Sequence, residues 1–191
     1  MMRSMGKFHV YKQKTWVDSW IKIDHFIVDW VIGIHAQQRA LFLWMRLLAR
    51  TGAWFMVSVM ILFMVWRILV FSDLSVIPEV FGAMFSAVCT KFLIDALAVR
   101  VGRVRPFVKR GMIPFVKKDE QDPSFPSNHA GGAFALAGYL AFHLSPLAPF
   151  LYVIAVGLAT SRVFTLLHYP SDLLAGASVG TLVALGVSLM L

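Results

Sequence analysis

The chain has 191 residues, of which 59% are hydrophobic and only 15% charged, with a net charge of +8 and a mean hydropathy of +0.73. A soluble domain of this size carries about a quarter charged residues, so the composition excludes an ordinary soluble enzyme and points to one integral membrane domain. The excess positive charge suits anionic lipid or phosphate, and basic residues that flank apolar spans without interleaved aromatics argue against nucleic acid.

The N-terminal stretch is basic (Arg3, Lys7, Lys12, Lys14), but Asp18, Asp24 and Asp29 interrupt the apolar residues after it. No cleavable signal peptide is expected, so insertion would use the mature spans. Residues 16–36 are apolar with charges every few positions. They predict an amphipathic helix at the membrane interface, with Trp16, Trp20 and Trp30 as anchors. Residues 38–50 repeat the theme, with Arg39, Arg46 and Arg50 set against a Leu/Phe/Trp face. Residues 1–52 therefore read as an interfacial segment ahead of a transmembrane domain at 53–191.

Residues 53–71 form the first convincing span, with Arg67 near its end. About 20 apolar residues cross the hydrocarbon core. Residues 80–99 form the second, with Lys91 and Asp95 spaced to pair on one helical face. The lone Cys89 lies here and reads as a small buried hydrophobe. Residues 100–128 are polar, Pro-containing and basic. Further spans are expected at about 127–144, 149–167 and 170–191. The fold class is an all-α membrane bundle of five to six helices with N-terminal amphipathic helices.

Counting crossings places the end of span two, the start of span three, the end of span four and the start of span five on one side. Three polar clusters then meet at one membrane face. In "RVGRVRPF", residues 100–107, guanidinium groups match phosphate oxygens. In "PSFPSNHAGG", residues 123–132, Ser127 or Asn128 caps the next helix, and His129 sits in its first turn. In "SRVFTLLHYPSD", residues 161–172, Asp172 is placed to accept one imidazole proton of His168 and free the other nitrogen for attack. Arg162 stands nearby. His9, His25, His35 and His143 have no such partners and read as packing or interfacial residues. Together the clusters suggest phosphoryl transfer, with arginines and a helix N-terminus on the phosphate and two histidines as nucleophile and acid. No carboxylate cluster suggests a metal site, and no cofactor is expected.

"PSNH" and "SR-x5-H-x3-D" resemble the second and third motifs of the type 2 phosphatidic acid phosphatase superfamily of lipid phosphatases and haloperoxidases. The stretch "DPSFPSNHAGGAFALAGYLAF" looks most like its bacterial undecaprenyl-diphosphatase branch. The resemblance runs from about residue 53 to the C-terminus. It implies a bundle of about six membrane helices in the bacterial inner membrane, acting on a membrane lipid phosphate. It implies that His168 forms a phosphohistidine, that Asp172 orients it, and that His129 acts as general acid and then helps activate water. Arg105, Ser127 and Arg162 would bind phosphate, with Asn128 beside them. The first family motif, K-x6-R-P, is matched at Arg105 and Pro106, but its lysine position holds Ala98. Arg100 is the candidate replacement if the backbone unwinds near Gly102, whereas Lys91 lies about 10 Å along the axis from Ala98. Counting Lys and Arg puts the active face in the cytoplasm. The resemblance implies the extracytoplasmic face, and basic residues kept for phosphate would bias the count. Rival readings are a phosphatidate or phosphatidylglycerol-phosphate phosphatase, a lipid phosphotransferase, and a transporter or scaffold with a dead site.

Overall fold

The computed structural model describes residues 18–191, with side chains from Ile21 onward. The basic N-terminal residues, His9 and Trp16 lie outside the described residues, as do the side chains of Asp18 and Trp20. The described chain is all helical: α1 (Asp18–His35), α2 (Arg39–Phe71), α3 (Val76–Val101), the single-turn α4 (Pro106–Lys109), α5 (Asn128–Phe142), α6 (Ala148–Phe164) and α7 (Pro170–Ser188).

Three stretches are long and apolar enough to cross a membrane: α2, Val76–Lys109 (which contains α3) and α7. α6 is a shorter apolar helix. Large apolar side chains such as Trp54, Leu62, Phe81, Phe92, Val153 and Leu182 face outward, as expected where lipid replaces water. α5 is the central helix, packed on α7, α3 and α6.

α2 is one helix of 33 residues, roughly 50 Å long at 1.5 Å per residue. The segment at 38–50 and the span at 53–71, read separately from sequence, are continuous, and residue 52 falls inside the helix. No proline interrupts it, and Gly52 packs against Leu158 and Leu48. It ends where Ser72 turns left-handed (φ 52°) and Asp73 pairs with Arg67.

α1 buries Asp24, Val28 and Val31, spaced for one helical face. That face joins Phe107, Val163, Leu166, Leu167 and Tyr169 in a second apolar cluster. Ile23, Phe26 and the expected anchor Trp30 point outward.

α5 and α7 approach closely because small residues face each other. A Cβ at Gly176 would run into the Ser127 carbonyl, and one at Gly180 into the Gly131 carbonyl. The contact is tied at its end by the Ser127 N–H, which donates to the Asp172 carbonyl at 3.0 Å. The C-terminal ends of α3 and α6 and the N-terminal ends of α5 and α7 therefore share one end of the bundle. This is the convergence the crossing count required.

Candidate active site

At that end a cavity of about 780 Å³ opens. Arg105, His129, Arg162 and His168 all line it, as do Asn128, Lys91, Lys117 and Lys118. Its other wall is apolar, built from Ala53, Met56, Val57, Ala133, Leu136 and Leu158.

His168 sits in the link between α6 and α7 and is buried. Its Nδ1 lies 2.6 Å from the Ser124 carbonyl, an acceptor, so Nδ1 carries the proton. Nε2 then holds the lone pair, with Arg105 Nη1 donating toward it at 3.2 Å. Burial, and after it the charge of Arg105, hold the imidazole well below its ordinary pKa. The ring is therefore neutral at pH 7, as a nucleophile requires. The sequence reading has Asp172 accept one imidazole proton of His168, but in the structure the Nδ1 proton goes to the Ser124 carbonyl, with Asp172 Oδ2 standing 3.8 Å from Nδ1. Asp172 is occupied elsewhere: Oδ2 accepts the Tyr169 N–H at 2.8 Å, and Oδ1 accepts from Arg103 at 2.5 Å.

Arg105 is fixed by two neutral carbonyls, Asp122 (3.0 Å) and Leu167 (2.8 Å). Pro106 directs it by starting α4 immediately after it. Arg162, at the end of α6, is 4% exposed, and its Nε has no hydrogen-bond partner among the described residues. Neither arginine forms an ion pair among the described residues. Two buried guanidiniums without carboxylates are costly unless an anion joins them.

Ser127 is buried and caps α5, with Oγ accepting the Ala130 N–H at 3.4 Å. It does not itself line the cavity. Asn128 does, and its Nδ2 donates to Asp95 at 2.5 Å. His129 presents its ring to the cavity from the first turn of α5.

Arg100 is exposed and absent from the cavity wall. α3 stays helical through Val101, and the backbone turns only at Gly102 (φ 59°). Arg100 is thus about 200° around the helix from Ala98 and points away. Ala98 itself lines the cavity, and the cations there besides Arg105 and Arg162 are Arg50, Lys91, Lys117 and Lys118. The axial separation of Lys91 from Ala98 does not keep it out, because the cavity runs along α3 toward Ala87.

The sequence matches the PAP2 superfamily over residues 79–191. The chain belongs to the PAP2 superfamily. No curated protein matches it. Among solved structures, the transmembrane PAP2 type phosphatidylglycerolphosphate phosphatase from Bacillus subtilis has a similar fold. Its TM-score is 0.68 at 21% identity, covering 91% of this chain and 86% of that one. PAP2 membership and this fold together support a membrane lipid phosphatase.

Sequence reasoning missed the contacts that Ser124, Arg103 and Asp24 make around this candidate site. Arg103 was visible as one of three arginines in "RVGRVRPF", but nothing there distinguishes a clamp from a ligand. Among the described residues, His35 stacks on Phe115, His143 lies beside Tyr139, and His25 meets Tyr169 edge-on while its ring nitrogens also contact Lys109 and Arg110.

Proposed function

We propose that this PAP2 protein hydrolyses a polyprenyl diphosphate such as undecaprenyl diphosphate, releasing phosphate and the lipid monophosphate. The observation that carries the reading is the pair of buried arginines without carboxylate partners beside a neutral, correctly tautomerised His168. Nε2 of His168 attacks the terminal phosphorus, forming a P–N bond as the bridging P–O bond breaks. The electron pair leaves with the lipid-phosphate oxygen, which takes from His129 the proton that this ring gains as the anionic substrate binds beside it. Water, deprotonated by His129, then attacks phosphorus, and the P–N bond breaks to restore neutral His168. Arg105 and Arg162 bind the equatorial oxygens, where charge develops.

Two features support a diphosphate. Arg50 and Lys117 also line the cavity and form no ion pair among the described residues, which suits a second phosphate. The apolar wall suits a hydrocarbon chain. The same reading places residues 1–52 at the interface of a bacterial inner membrane, residues 53–191 as the catalytic domain, and the site on the extracytoplasmic face. A phosphatidylglycerol-phosphate phosphatase is the second reading, favoured by the solved relative.

Purified protein offered undecaprenyl diphosphate, phosphatidate and phosphatidylglycerol phosphate is expected to release phosphate fastest from the diphosphate, with or without chelator. His168→Ala abolishes release. Faster release from either monoester overturns the substrate. Normal turnover in His168→Ala, or loss of wild-type activity in chelator, overturns the mechanism. Phosphate passed to another lipid in place of water identifies a phosphotransferase.

A further inference from the structure

Outside the stretch that matches the PAP2 superfamily, α1 turns one carboxylate inward. Asp24 is 2% exposed. Its Oδ2 accepts from Arg103 Nη2 at 2.6 Å and from Ser171 Oγ at 2.5 Å, and its Oδ1 accepts the Ser171 N–H at 3.0 Å. Arg103 spends its other nitrogen on Asp172 Oδ1 at 2.5 Å and on Ser171 Oγ at 2.7 Å. Its guanidinium lies 4.0 Å above the Tyr169 ring. Every group in this cluster except Asp24 and Arg103 belongs to the four residues directly after His168.

Two buried carboxylates thus share one cation, and when both are ionised the cluster carries a surplus negative charge, partly offset on the cavity side by Arg105. Asp172 Oδ2 places that charge 3.8 Å from His168 Nδ1. When Nε2 bonds to phosphorus, the neutral imidazole becomes cationic, with Nδ1–H still on the Ser124 carbonyl. A negative field at that distance, in a site shielded from water, favours the cationic ring over the neutral one. Paired with Asp172 alone, Arg103 would cancel the field. Asp24 draws on the same guanidinium and leaves Asp172 able to exert it.

We propose that Asp24 is a positioning residue for phosphoryl transfer: it shares Arg103 with Asp172, fixes Ser171, and so maintains negative charge behind His168. This rests on the reading of His168 as nucleophile. It gives α1 a part in the chemistry although α1 touches neither the cavity nor the substrate.

The test is single-turnover phosphorylation and steady-state turnover of full-length Asp24→Asn and Asp24→Glu, with undecaprenyl diphosphate in detergent. Active protein is counted by trapping the phosphoenzyme, and folding is checked by thermal unfolding. Asp24→Asn keeps the shape and removes the charge. It is expected to lower the phosphorylation rate and kcat about ten-fold, with KM within about two-fold. Asp24→Glu keeps the charge and stays within about three-fold of wild type. A merely structural role would lower the count of active molecules and leave the rate per active molecule alone. Folded Asp24→Asn at the wild-type rate, or both variants equally slow, overturns the inference. If Asp24→Asn does not fold, Asp24→Glu decides, and a folded Glu variant ten-fold slower than wild type overturns it. If wild type releases no phosphate, or His168→Ala turns over normally, the parent reading falls and takes this one with it. If both behave as expected and Asp24→Asn does not slow, only this inference falls.

Discussion

His168 shows how one backbone acceptor decides the chemistry of a side chain. The Ser124 carbonyl at 2.6 Å fixes the proton on Nδ1, and burial disfavours a second proton on Nε2. Below pH 6.5 an ordinary imidazole would protonate and lose its nucleophilicity. Because the folded pKa lies well below that value, the nucleophile stays free between pH 8 and 6.5, and its acid limb falls below 6.5. Linkage sets the sign for stability. Below pH 6.5 the unfolded chain binds a proton that the folded chain refuses, so this group subtracts stability as pH falls. Single-turnover phosphorylation should therefore be flat across pH 6.5 to 8, and an inflection of the His168 step at or above 6.5 would contradict the burial argument. The convergence of His129, Arg162 and His168 on one cavity was legible because motif spacing puts them at helix ends. Ser124 was not, since a backbone carbonyl has no residue signature. Asp24 and Arg103 were not, since their contact joins positions 79 residues apart. Arg100 was misplaced because its helical face, which spacing does give, depends on where α3 ends.

At the scale of elements, the site depends on how closely α5 and α7 approach. Gly180 lies against the Gly131 carbonyl, two residues after His129, and backbone cannot move aside as a flexible side chain can. Gly180→Ala should cost about 1–3 kcal/mol through overpacking and displace the start of α5, lowering activity as well as Tm. Gly186 on the same helix has open space around its Cβ position. Gly186→Ala should hold or raise Tm, since alanine is the better helix former by up to about 1 kcal/mol. Thermal unfolding and phosphate release measured on the pair check this, and equal Tm losses would show that general helix effects outweigh the close contact. The helices themselves were legible from apolar run length, and α1 from the apolar stretch at 16–36 with charges every few positions. The unity of α2 was harder to read. Arg46 and Arg50 break the apolar pattern without breaking the helix, because arginine is a good helix former.

For the whole molecule the open choice is which side of the membrane the cavity faces. α2 is roughly 20 Å longer than the hydrocarbon core of about 30 Å, and its surplus lies at the cavity end, carrying Arg39, Arg46 and Arg50. Positive-inside counting reads these and the loop cations as cytoplasmic. Yet Arg50, Arg105, Lys117, Lys118 and Arg162 all line the cavity, and Arg103 is held between Asp24 and Asp172. A charge retained for the site carries little topological information, but removing these six still leaves Arg39, Arg46, Arg100, Lys109 and Arg110 at the cavity end against Arg67 near the other, so the count reduces the bias without removing it. The other end offers a clean control, because Leu74 is 63% exposed in the link between α2 and α3. In a Cys89→Ala background, Lys117→Cys should react with a membrane-impermeant thiol reagent in intact cells. Leu74→Cys should react only after the membrane is opened. The reverse pattern would place the site in the cytoplasm and limit the enzyme to lipid phosphates presented on that leaflet.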